Sequence, residues 1–86
     1  MDILKIAKEI IKYLSLVEGV TVPRAVAGIM RDTQPNYERL SALMDFLFEA
    51  EHRGRYLPKP VERLLPDFSQ RFVAYSLRQD QRLAHR

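Results

Sequence analysis

Ile3, Ile6, Ala7, Ile10, Leu14 and Val17 recur at steps of three and four residues. That interval gathers side chains onto one face of an α-helix. Lys5, Lys8, Glu9 and Lys12 fill the other side, while Leu4 and Ile11 widen the apolar stripe, so this helix is expected to pack on two neighbours. Nothing else is available to stabilise the chain. It contains no cysteine, which removes disulfides, thiolate metal sites and cysteine nucleophiles. Its 86 residues suffice for one domain, 1–86, that hides roughly 60–65% of the surface of the unfolded chain. Helical faces must therefore supply the core. A composition of 47% hydrophobic and 29% charged residues is that of a globular domain rather than a disordered chain.

Prolines and glycines punctuate the remainder. Asp2 caps a first helix over 3–17 and Gly19 ends it. Val20–Val22 is β-branched and short, a strand fragment or an extended link. Pro23 suits the first position of a second helix, 23–31, whose apolar residues are Val22, Val26, Ile29 and Met30. Asp32-Thr33-Gln34-Pro35 breaks it. A third helix runs from Pro35 to Arg53 and presents Tyr37, Leu40, Leu43, Met44 and Leu47 on one face, broadened by Phe46, Phe48 and Ala50. It is the most hydrophobic segment and belongs at the centre of the core. Gly54 fits its left-handed C-cap. Arg55-Tyr56-Leu57 reads as a short strand, Pro58-Lys59-Pro60 as an extended turn, and 61–65 as one helical turn ended by Pro66. Asp67 then opens a last amphipathic helix, with Gln70 completing a capping box and Phe68, Phe72, Tyr75 and the more distant Leu77 and Leu83 on its apolar face.

Several function classes fall away. The three glycines are isolated, so no phosphate-cradling loop exists. Glu49, Glu51 and His52 crowd one helix end, but such a group on an exposed turn is ordinarily a solvated surface. The serines have no histidine at a suggestive spacing. An enzyme is not expected, nor a cofactor, nor a metal site, since only His52 and His85 offer imidazoles. No apolar run approaches the ~18 residues of a membrane span, and Asp2 spoils a signal-peptide reading. The chain reads as a cytoplasmic binding module.

Charge is unevenly spread. Residues 1–52 carry six Lys/Arg against eight Asp/Glu, a balance of −2, whereas 53–86 carry eight against three, a balance of +5. A basic C-terminal third suits an anionic partner: nucleic acid, an acidic protein face or a membrane surface. The order from residue 3 to 60 (long helix, Val-Thr-Val, short helix, tight break, amphipathic helix, Arg-Gly, extended basic segment) resembles the winged helix-turn-helix superfamily of bacterial regulators. Ala50-Glu51-His52-Arg53-Gly54-Arg55-Tyr56-Leu57 is similar to the helix end and first strand of its wing, and Gln34-Pro35-Asn36-Tyr37 to the start of some recognition helices.

The resemblance implies a mainly α fold, with a winged-helix-like three-helix core over 1–60, short strands or an extended wing, and a C-terminal helical extension over 61–86. It implies a small DNA-binding transcription regulator. Gln34, Asn36 and Arg39 would face base edges in the major groove, and Arg55, Lys59 and Arg63 would hold phosphates. Against DNA stands the acidic exposed stripe Glu38, Asp45 and Glu49. The alternative is an all-α four-helix bundle acting as a protein–protein interaction module, an adaptor or inhibitor. Arg71, Arg78 and Arg82, with Phe68, Phe72 and Tyr75, would then meet an acidic protein surface; under either reading the same C-terminal helix is expected to form a homodimer. Arginine repeats at helical spacing steer such contacts, and aromatic burial drives them.

Overall fold

The computed structural model describes residues 2–54 and 57–84, with side chains up to residue 79. The fold is mainly α. Helix α1 (Ile3–Lys12) starts where the Asp2 carboxylate accepts a hydrogen bond from the Lys5 amide at 2.9 Å. It continues into a wider π-helical turn over Tyr13–Val17, and Gly19, at φ +67, ends it in the left-handed region. Helix α2 (Arg24–Ala27) is one turn long and tightens into a 3₁₀ turn over Gly28–Arg31. Helix α3 (Tyr37–His52) is capped by Asn36, whose side-chain oxygen accepts from the Arg39 amide at 3.0 Å. Gly54, at φ +69, follows its C-terminus.

Helix α4 (Lys59–Ala84) corrects the expected break at Pro66: one helix runs through that proline for 26 residues, about 39 Å at 1.5 Å per residue. The Pro58 carbonyl accepts from the Val61 and Glu62 amides at 2.9 and 3.0 Å and starts the helix. Pro60 falls in the first turn, where a missing N–H costs nothing. Pro66 does forgo a bond to the Glu62 carbonyl. Its ring lies on the exposed side, while Val61 and Phe68 on the opposite side are fully buried. Core packing to either side carries the helix across the defect. Asp67 is accordingly no N-cap; its carboxylate accepts from Arg71 one turn later, at 2.9 Å.

The two wing strands are not formed among the described residues. Val20–Val22 forms no strand, and the Val20 amide donates to the Leu14 carbonyl at 2.7 Å. The segment meant to pair with it falls partly on Arg55 and Tyr56, which lie outside the described residues, and Leu57 is buried in the helical core. Lys59 and Arg63, placed on the wing by the resemblance, belong to the first turns of α4.

The core joins Ile3, Ile6, Ile10, Ile11 and Leu14 from the first helix to Val26 and Ile29, to Leu40, Leu43 and Leu47 of α3, and to Val61 and Phe68 of α4. No polar side chain is buried among the described residues, so shape and apolar area alone hold the helices together.

Candidate docking face on the third and fourth helices

The first turn of α3 is where the resemblance would place base contacts. Asn36 uses its side chain as the helix cap. Arg39 folds back across the preceding turn and donates through Nε and Nη2 to both carboxylate oxygens of Asp32, each at 2.8 Å. Lys8 reaches the same turn from α1, its Nζ donating to the Asp32 carbonyl at 2.7 Å. Gly28 makes room for the Arg39 side chain, since a Cβ there would stand 3.1 Å from Arg39 Cδ. The Asp32 carboxyl is held below its ordinary value, foremost by the hydrogen bonds from Arg39 and then, against a desolvation penalty, by the charges of Arg39 and Lys8. Arg39 is pushed up in turn, foremost by its bond to Asp32. A bidentate pair of this kind fixes the fork's direction. Of the three residues assigned to base edges, Gln34 alone stays exposed without such an engagement; Asn36 and Arg39 act on their own chain.

The C-terminal half of α4 covers the same place. Tyr75 donates its hydroxyl to the Pro35 carbonyl at 3.3 Å. The Tyr37 ring stacks on Phe72 and Tyr75, with centroids 5.9 and 6.3 Å apart. Phe68 sits deeper, 6.2 Å from Phe72, and is fully buried. Its assignment to a partner interface is therefore corrected: a ring with no exposed surface packs the chain's own core. Phe72 and Tyr75 are half-buried against α3.

At the other end of the pair, Met44, Phe48 and Glu51 of α3 face Leu65, Pro66 and Ser69 of α4 across an open groove of about 190 Å³. The two helices thus run antiparallel, Tyr37 level with Phe72 and Tyr75, and Phe48 level with Pro66. Phe48 is 58% exposed and Tyr37 45%; Val73 and Leu77 of α4 are 56% and 58% exposed. At about 100° of rotation per residue, Pro66, Val73 and Leu77 share one side of α4, facing away from Val61, Phe68 and Tyr75. Tyr37, Ser41 and Phe48 share the neighbouring side of α3. Together they form an apolar strip across the outward face of the helix pair.

Charged ridges border it. Glu38, Asp45 and Glu49 lie on the outward side of α3, opposite the buried Leu40, Leu43 and Leu47, and all are exposed, with Glu49 bound to Arg53 at 2.8 Å. Arg63, Arg71 and Arg78 lie on the far flank of α4, also exposed; Arg71 is bound to Asp67. Arg82 belongs to the backbone of α4, its side chain outside the described ones, as is Arg55 altogether. Sequence reasoning missed the groove and the Asp32–Arg39 clamp. A signal for the groove existed: Phe48 and Pro66 are large apolar residues on the solvent sides of their helices. No helical period marks the clamp, because its residues stand seven apart across a turn. No group of histidine, aspartate and glutamate placed to hold a metal occurs among the described residues, and none of their helices is long and apolar enough to cross a membrane. Set beside known protein families, curated proteins and solved structures, the chain matches none.

Proposed function

We propose that the chain is a helical protein–protein interaction module whose docking surface is the seam between α3 and α4. The observation that carries the reading is the character of the exposed face of α3. Its aromatic residues Phe48 and Tyr37 are about half exposed, and its charges there are Glu38, Asp45, Glu49 and Glu51 against Arg53. Exposed aromatics beside an apolar groove are what a partner's side chains bury for affinity. A row of carboxylates on the same helix is repelled by phosphates and attracts a basic protein face.

DNA-binding regulation is the second reading. It is favoured by exposed Lys59 and Arg63 on α4 and by Gln34 before α3. It is weakened by the engagement of Asn36 and Arg39 within the chain.

A photo-crosslinking amino acid placed at Phe48, with a control at exposed Thr21, tests the first reading in cells. Protein adducts at Phe48 and not at Thr21 are expected. Adducts at neither position, together with salt-steep binding to a mixed-sequence duplex, would transfer the assignment to the regulator.

A further inference from the structure

We infer that the partner of this seam is a second copy of the chain, related by a two-fold axis running parallel to α3 and α4. The inference rests on the docking role proposed above and adds the occupant. Across the seam the order is a net acidic ridge (Glu38, Asp45 and Glu49, the last paired with Arg53), then Tyr37 and Phe48, then Pro66, Val73 and Leu77, then a net basic ridge (Arg63, Arg78 and Arg71, the last paired with Asp67). A surface charged oppositely on its two long edges is complementary to itself in one orientation only. When two copies face each other with α4 running in the same direction, the two-fold operation carries the acidic ridge of one onto the basic ridge of the other, twice. With α4 antiparallel, acid meets acid and base meets base. Isologous contacts of this kind close at two subunits.

The antiparallel run of α3 and α4 sets the levels along the seam. Glu49 stands nearest Arg63, and Glu38 nearest Arg71 and Arg78, so a parallel pair places opposite charges at matching heights. Within one chain the ridges sit on opposite sides of the helix pair and do not meet. Among the described residues, Glu38, Asp45, Arg63 and Arg78 form no salt bridge of their own. The apolar strip supplies the attraction. Phe48, Tyr37, Val73 and Leu77 each keep about half of their surface in water, and the groove beside Pro66 offers space for the partner's Phe48 ring.

The face is about 24 Å long, from sixteen residues of α3, and about 20 Å wide across two helices of about 10–12 Å diameter packed about 8–10 Å apart. It hides about 480 Å² per copy, the size of a weak, transient interface. A contact of this size exchanges between monomer and dimer.

Sedimentation of the full chain from about 1 μM to about 1 mM tests this with two double variants, Arg63→Glu with Arg78→Glu, and Glu38→Lys with Asp45→Lys. All four positions are exposed, and circular dichroism confirms that each variant stays helical. The wild-type chain should pass from monomer to dimer. Each double variant should remain monomeric where the wild type is half dimeric, because its two ridges then carry the same net sign. An equimolar mixture of the two variants should recover the dimer, since a seam of net negative charge then meets one of net positive charge. A wild type that stays monomeric, a dimer that ignores both double variants, or a mixture that fails to associate would each overturn the inference. A monomer whose Phe48 crosslinks to a different protein overturns the second copy and leaves the docking role. A monomer without crosslinks overturns both.

Discussion

Replacing Phe68 by alanine separates core from surface on the aromatic face of α4. Phe68 has no exposed area and packs among Val61, Leu64, Leu65 and Phe72. A buried phenylalanine removes 150–250 Å² from water, which at about 25 cal/mol per Å² corresponds to about 4–6 kcal/mol for the whole ring. Alanine keeps part of that, the core closes partly around the gap, and measured Phe→Ala losses of about 3–5 kcal/mol set the expectation. An 86-residue domain has about 4–13 kcal/mol of stability in all. Phe68→Ala should therefore leave the chain marginal, lowering the thermal midpoint by about 12–40 °C. Urea unfolding followed by the helical circular dichroism signal measures the difference, with Phe48→Ala as the companion. Phe48 is 58% exposed, so its loss should stay near 1 kcal/mol. Equal losses at the two sites, or less than about 1 kcal/mol at Phe68, would refute the placement of Phe68 inside and Phe48 outside.

Other outcomes follow from the same geometry. The Asp32 carboxyl is depressed when folded, so its contribution is fully present above its unfolded value of about 3.9 and is lost as pH falls through the lower folded value. Asp32→Asn should flatten the acid limb of a stability–pH profile below about pH 4 and leave the shape near neutrality unchanged. Gly54 stands at φ +69 with open space around its Cβ position, so Gly54→Ala should cost about 1–2 kcal/mol from backbone strain alone, read by urea unfolding. Pro66 interrupts α4 without breaking it, and Pro66→Ala should raise stability by about 1–3 kcal/mol by restoring the bond to the Glu62 carbonyl. A fall in the thermal midpoint would mean that the ring's contacts with Phe48 outweigh the lost hydrogen bond.

Helical period made most of the fold legible. The stripe is buried from Ile3 to Leu14, though Val17 at its end is exposed; Gly19 and Gly54 terminate helices in the left-handed region, and Asp2 caps the first helix. Val20–Val22 misled because β-branching favours extended backbone whether or not a second strand is present to pair with it. Pro66 misled because the local rule treats proline as an end. The period Val61, Leu65, Phe68, Phe72 and Tyr75 runs through it, and burial of that face outweighs one missing hydrogen bond. At the candidate site the acidic stripe of α3 was readable from spacing. The Asp32–Arg39 clamp and the Tyr75–Pro35 contact were not, since they join residues 7 and 40 apart in sequence that only the tertiary fold brings together.

Amide chemical shifts of the isotopically labelled chain, recorded with a mixed-sequence duplex at low salt, bear on the docking account most directly. If the start of α3 is engaged with its own chain and the exposed face beyond it is acidic, the amides from Asn36 to Glu49 should keep their positions as duplex is added. Shifts clustered at Gln34, Asn36 and Arg39 that disappear on raising the salt would contradict the account and put that helix in the groove of DNA.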